Sequence, residues 1–196
     1  MTPTTIIGIG GGSGAGKTTL ARAIVDRLDS RALLISHDRY YFHMACGNYD
    51  KPEALNTSLM IAHLETLRSG EPAELPIYDE INSCQTTETE RVIPKPIILV
   101  EGIFVLTVPG ILNTLDFKIF VETPSQSRLE RRLVRDSTEK LRSQTSIIQE
   151  WHKNVMPTHQ ALVQQGASKA DLIISGDRDI SKTLEVILQR LDLTHA

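Results

Sequence analysis

The stretch GGSGAGKT at residues 11–18 fits the pattern G-x-x-x-x-G-K-[ST] and constrains the chain more than any other feature. Before it runs TTIIGIG (4–10), β-branched and apolar, which reads as a buried first strand. After it comes KTTLARAIVDRLDS (17–30), with Leu20, Ile24 and Leu28 on one helical face. A strand, a glycine loop and a helix in that order can turn successive backbone N–H groups inward around phosphate oxygens, along a path that a Cβ would obstruct. The helix N-terminus adds the positive end of its dipole. On this reading Lys17 reaches the β- and γ-phosphates of a nucleoside triphosphate, and the Thr18 hydroxyl holds Mg²⁺.

The rest of the chain repeats the alternation. ALLIS (32–36), PIILVEGIF (96–104), FKIFVET (117–123) and ADLIISG (170–176) read as further buried strands, with 96–104 expected to be central. Helices are expected at 56–69 with Leu59, His63 and Leu67 in register, at 124–136 after a proline, at 145–165 and at 179–192. The Pro- and Thr-rich stretch 71–96, with alternation in TETERVI, suits a small hairpin. Apolar strands alternating with helices predict an α/β fold with a central parallel sheet covered on both faces. A chain of 196 residues is expected to form a single domain over 1–196.

Composition narrows the class. The net charge of -3 argues against a general nucleic-acid or membrane-surface binder. Two cysteines, Cys46 and Cys84, make neither a disulfide framework nor a zinc site. No apolar run approaches spanning length and no secretory leader is evident, so a soluble cytoplasmic protein is expected. The Asn-Lys-x-Asp stretch of GTPases and the Asp-Glu strand end of motor ATPases are missing. Instead 97–100 runs into Glu101-Gly102 and the second strand into Ser36-His37-Asp38. In a parallel sheet both acids fall at the carboxyl edge beside the glycine loop. Either could be a cap or a strand-end charge. Together they suit phosphoryl transfer to a hydroxyl, one accepting the proton and both helping to hold Mg²⁺.

With GGSGAGKTT, ISHDRYY, NYDKPEALN, LPIYD, ILVEGIFVL, FKIFVET, RLERRLVRD and KADLIISGD in this order, the chain resembles the uridine kinase and phosphoribulokinase group of P-loop kinases, uridine–cytidine kinases most closely. The resemblance implies a P-loop NTPase three-layer fold of the nucleoside-kinase type, with a substrate-binding β-hairpin near 71–95 and a helical lid near 131–145. It implies ATP as donor, Mg²⁺ as cofactor, a nucleoside-like acceptor and a homo-oligomer. Gly11, Gly12, Ser13, Gly14, Ala15, Gly16, Lys17, Thr18, Thr19 and Arg135 would then bind ATP and its phosphates. Asp38 would be the catalytic base for a ribose 5′-hydroxyl, with Lys17 and Arg132 completing the catalytic set. Thr18, Asp38 and Glu101 would hold the metal. Tyr41, Asp50, Tyr78, Arg132, Arg142 and Glu150 would join Asp38 around the acceptor, Asp50 taking the ribose hydroxyls. Helical spacing also puts Arg128 near the face of Arg132 and Arg135, as part of an arginine-bearing lid.

The chain departs from that pattern at three places, one of them Glu150-Trp151, where such kinases carry a Gln near the base and then a Tyr. Where such kinases carry an aromatic and a His to read the pyrimidine, Glu80 and Ser83 stand beside the matching Tyr78 and Asp79. Where they continue as Glu-Arg-Gly-Arg, this chain reads Glu139-Lys140-Leu141-Arg142. YDKPEALN also resembles nicotinamide riboside kinases, and Glu80 or Glu150 would favour a cationic nicotinamide ring. Three readings therefore stand: a uridine or cytidine kinase, a kinase acting on nicotinamide riboside or a phosphosugar, and a nucleotide-binding regulator with altered catalysis.

Overall fold

A computed structural model of the chain describes residues 4–42, 49–79 and 84–191. Five strands form one parallel sheet: β1 (Thr5–Gly11), β2 (Ala32–Ser36), β5 (Ile97–Glu101), β6 (Phe117–Glu122) and β7 (Leu172–Ser175), in the order β2-β5-β1-β6-β7. β3 (Ala73–Asp79) and β4 (Cys84–Val92) make a separate antiparallel hairpin with a register shift between Pro76 and Tyr78. The helices are α1 (Lys17–Leu28), α2 (Thr57–Arg68), α3 (Pro109–Leu112), α4 (Ser125–Thr138), α5 (Gln144–Glu150), α6 (Met156–Ala161) and α7 (Ile180–Arg190).

The period of two along each strand sorts the core into two layers. Ile7 and Ile9 of β1, Ile97 and Leu99 of β5, and Ile119 and Val121 of β6 face α1 and α7, meeting Leu20, Ile24, Leu28 and Ile187. Their alternates Ile6, Ile98, Val100 and Phe120 face the other way, onto Met60, Leu64 and Leu67 of α2 and Ile111 of α3. That is why these strands read as continuous apolar runs: both faces are covered. The expected three-layer α/β architecture with a hairpin is present.

Several boundaries differ from expectation. β5 is buried at all five positions, yet the middle strand is β1, with β5 between it and β2. Register with β1 explains a local device at β6. Its pairing starts at Ile7↔Phe117, and Asp116 just before it accepts from the Ile6 N–H at 2.7 Å. The α2 stripe is Met60, Leu64 and Leu67: Leu67 is buried as expected, while Met60 and Leu64 take the places expected for Leu59 and His63, which are half-buried. The long helix expected over 145–165 is interrupted: α5 passes into a π-helical turn (Trp151–Val155), then α6, then a 3₁₀ stretch (Val163–Lys169). Pro157 lies in the first turn of α6, where a missing N–H costs a restarted helix little.

Candidate active site

The carboxyl ends of β1, β2 and β5 meet at one edge of the sheet. β1 leads into the glycine loop, and α1 starts at Lys17 with Gly16 as its N-cap at φ 97°. That cap offers no side-chain acceptor, and the first turn of α1 carries no acid. The N-terminal N–H groups are therefore left for an anion. Gly14 has φ 77°, and a Cβ there would lie 2.4 Å from the Arg128 carbonyl oxygen, so the loop needs glycine on both counts.

Lys17 is buried, and its Nζ donates to the Gly12 carbonyl at 3.0 Å. Burial lowers its pKa; Glu101 and Asp38 push it back up, and Arg135 and Arg128 push it further down. Thr18 and Thr19 follow on the exposed side of the first turn. Thr123, just past β6, braces the loop from behind by donating from Oγ1 to the Ala15 carbonyl at 3.0 Å.

The two acids expected at this edge are joined through Ser36. Ser36 and Glu101 are register partners, and Ser36 Oγ donates to Glu101 Oε1 at 2.8 Å. The same Oγ accepts from the Asp38 N–H at 3.3 Å, starting the 3₁₀ turn His37–Tyr40. Glu101 is buried and Asp38 exposed. Both charges act on Lys17, so the structure does bring Lys17, Asp38 and Glu101 together.

Beyond Asp38 lies an aromatic and acidic wall. Tyr41 is buried, its hydroxyl donating to the Tyr49 carbonyl at 2.9 Å and its ring 5.6 Å from that of Tyr78. Its pKa is driven well up by burial, then by Asp38, Asp50 and Tyr78, with Arg132 opposing. Asp50 is also buried, which raises its pKa. Arg132 counters the rise while Glu150 adds to it. Asp38, Tyr41, Asp50, Tyr78 and Arg132 thus share one electrostatic environment. Glu80 and Ser83 lie outside the described residues.

The arginine segment differs in part from expectation. Arg132 is buried, and its Nη1 donates to Ser13 Oγ of the loop at 3.0 Å. Arg135 is half-exposed and lies near enough to Lys17 to shift it. Arg128 is not a lid residue. At 1% exposed, it donates from Nε to the Thr123 carbonyl at 3.2 Å and lies 5.2 Å from the centre of the Trp151 ring, fixed behind the loop. The stretch expected to be a lid opens inside α4, which runs on to Thr138, so its first part is continuous with the body of the protein. Glu150 is ion-paired with Arg142 and, at 3.7 Å, with Arg132.

Sequence reasoning missed four contributors. Ser36 bridges the acids, and Asp136 is buried among arginines. Arg131 donates to the Gly176 carbonyl at 3.0 Å and pairs with Asp177 at 2.8 Å. Arg39 donates to the Pro76 carbonyl at 2.8 Å, tying the hairpin to the turn that carries Asp38. Only the first had a usable signal, as a hydroxyl in register with a strand-end acid.

A parallel sheet, a glycine loop opening a helix, and a buried lysine between two strand-end acids define a P-loop kinase. The Phosphoribulokinase / Uridine kinase family model matches residues 6–181. The chain is 37% identical to uridine kinase of Chloroflexus aurantiacus over 95% of its length and 94% of that protein. It is 40% identical to uridine kinase of Staphylococcus carnosus over 89% and 88%. Its fold is similar to phosphoribulokinase from Rhodobacter spheroides, with a TM-score of 0.66 at 15% identity, covering 89% of this chain and 71% of that one. The chain belongs to the phosphoribulokinase / uridine kinase family of phosphotransferases. Membership of that kinase family implies a nucleotide substrate.

Proposed function

We propose that this chain transfers the γ-phosphoryl group of ATP to the 5′-hydroxyl of a ribonucleoside, with uridine or cytidine as acceptor. The observation that carries the reading is the convergence of Lys17, Asp38 and Glu101 at the strand ends, with Tyr41, Asp50, Tyr78 and Arg132 beside them. Two relatives that match nearly end to end bear the name uridine kinase, which favours this acceptor.

The residues have a division of labour. The loop N–H groups, Lys17 and the α1 N-terminus take the phosphates. Arg132 and Arg135 offset charge that builds on the transferred group. Asp50 accepts from the ribose hydroxyls, a task for a carboxylate that can accept from two neighbours at once. Tyr41 and Tyr78 supply ring surface. Asp38 accepts the proton of the 5′-hydroxyl as its oxygen bonds to the γ-phosphorus. The bond from that phosphorus to the β,γ-bridging oxygen breaks, and ADP keeps the electron pair.

Thr18, Asp38 and Glu101 offer oxygen donors, the class Mg²⁺ prefers. Among the described residues no three His, Cys, Asp or Glu side chains are grouped to hold a metal alone. That suits an ion brought in on phosphates and held by one or two carboxylates. When bound, Mg²⁺ would neutralise phosphate charge. Glu150 is paired with Arg142 and Arg132, so it lends no support to an acceptor with a cationic ring.

The test is a panel of uridine, cytidine, nicotinamide riboside and ribulose 5-phosphate with Mg-ATP, comparing kcat/KM, beside the variant Asp38→Asn. Pyrimidine nucleosides should lead the panel. The variant should leave ATP binding largely intact while turnover falls by about a hundredfold or more. Undiminished turnover would remove Asp38 from its role. Absence of ADP formation with every acceptor would sink the kinase reading.

A further inference from the structure

Asp136, near the C-terminal end of α4, is 1% exposed and carries its carboxylate into a cluster of three guanidinium groups. Its Oδ1 accepts from Arg135 Nε at 2.8 Å and lies 2.8 Å from Arg135 Nη2. Its Oδ2 lies 3.2 Å from Arg132 Nε and 3.9 Å from Arg142 Nη1. Its backbone carbonyl accepts from the Arg142 N–H at 3.0 Å, so one residue grips both sides of the turn between α4 and α5. Such a site is not a casual surface pairing. Three like charges this close repel, and a buried acid among them is what lets them gather.

The way the arginines are held matters more than the pairing. A guanidinium has five N–H groups in a rigid fork, so fixing one edge aims the other. Asp136 holds Arg132 by charge, since Arg132 Nε makes no hydrogen bond among the described residues, and the far end of that guanidinium, Nη1, reaches Ser13 in the phosphate loop at 3.0 Å. It takes Arg135 by Nε and Nη2, leaving Nη1 as the end for an anion. Arg132 and Arg142 share a second acid, Glu150, on α5.

We infer that Asp136 is a positioning residue for phosphoryl transfer: it touches no substrate but sets the direction in which Arg132, Arg135 and Arg142 present their free N–H groups to the triphosphate and acceptor. The inference rests on the kinase reading above, since it assigns a purpose to those arginines.

Two variants test it, Asp136→Asn, which removes the charge at constant size, and Asp136→Glu, which keeps the charge but displaces it by a methylene. With uridine and Mg-ATP, and active sites counted by ATP-binding stoichiometry, kcat/KM for ATP should fall by about tenfold to a hundredfold in the Asn variant and by less in the Glu variant. Because Asp136 acts partly through Arg135, the loss in Asp136→Asn/Arg135→Gln should be smaller than the product of the two single losses. A merely structural carboxylate would lower the melting temperature while leaving kcat and KM per active site at wild-type values. That result, or losses that multiply, would overturn the inference. If the Asn variant does not fold, the Glu variant carries the same two outcomes. If the wild-type chain phosphorylates no acceptor, the kinase reading fails on its own. ATP affinity then decides the present point: a loss of about tenfold on Asp136→Asn supports it, and unchanged affinity refutes it.

Discussion

Acid should weaken this protein through one histidine at the edge of the site. His37 is fully buried between Ser36, which bridges the acids, and Asp38. Its Nε2 lies 3.4 Å from Thr57 Oγ1, and its Nδ1 has no hydrogen-bond partner. Burial drives its pKa from 6.5 down to about 4. Between those values the unfolded chain takes up a proton that the folded chain refuses. Stability is therefore whole above pH 6.5 and falls as pH falls, until the folded pKa is reached. Each pH unit between the two values is worth about 1.36 kcal/mol, so the loss from this residue by pH 4 is about 3 kcal/mol. That is a large share of the roughly 5–15 kcal/mol that holds a typical domain together. The assay is urea unfolding of wild type and His37→Gln at pH 7 and pH 4. His159, also lowered to about 4 chiefly by burial, pulls the same way but is partly exposed and counts for less. Asp50, with its raised pKa, pulls the opposite way, because acid relieves its buried charge. Both are present in either protein and cancel in the comparison. Wild type should lose about 3 kcal/mol more than the variant. Parallel losses in the two proteins would refute the reasoning.

Two further outcomes follow from the backbone near the site. A Cβ on Gly102 would stand 2.6 Å from His37 Cβ, so Gly102→Ala should push the Asp38 turn away from Glu101. Urea unfolding should register a loss of about 1–3 kcal/mol, and turnover should drop with it. Leu141 holds φ 51° with its side chain 87% exposed, so it adopts a left-handed backbone without burying anything in return. Leu141→Gly should raise stability by about 1 kcal/mol, read as a higher urea midpoint at unchanged slope.

Leu141 also shows how a departure in the sequence reads once folded. The resemblance placed a glycine there, and Leu141 stands in the left-handed region that favours glycine. Arg128 shows the opposite. Its spacing matched Arg132 and Arg135, as helical geometry demands, but spacing cannot say which neighbours a helix face meets. The loop and Trp151 took Arg128 into the interior. For the same reason the long helix expected over 145–165 is broken in the fold, because apolar positions continue through the π turn and the restart at α6. Glu150 pairs with two arginines whose approach no local pattern announces, while its charge still acts on Asp50.

The sequence by itself determined the strand–loop–helix unit, the parallel class of the sheet and the meeting of Lys17, Asp38 and Glu101 at one sheet edge. These depend on backbone conformation, hydrophobic period and the rule that parallel strands end at a common edge, all of which act over a few residues or follow from topology. Only the tertiary structure decided that Ser36 joins the two acids, that Arg39 ties the hairpin to the Asp38 turn, and that Asp136 gathers three arginines. Those contacts depend on where side chains from separate elements end, and on which charges must be paired once water is excluded.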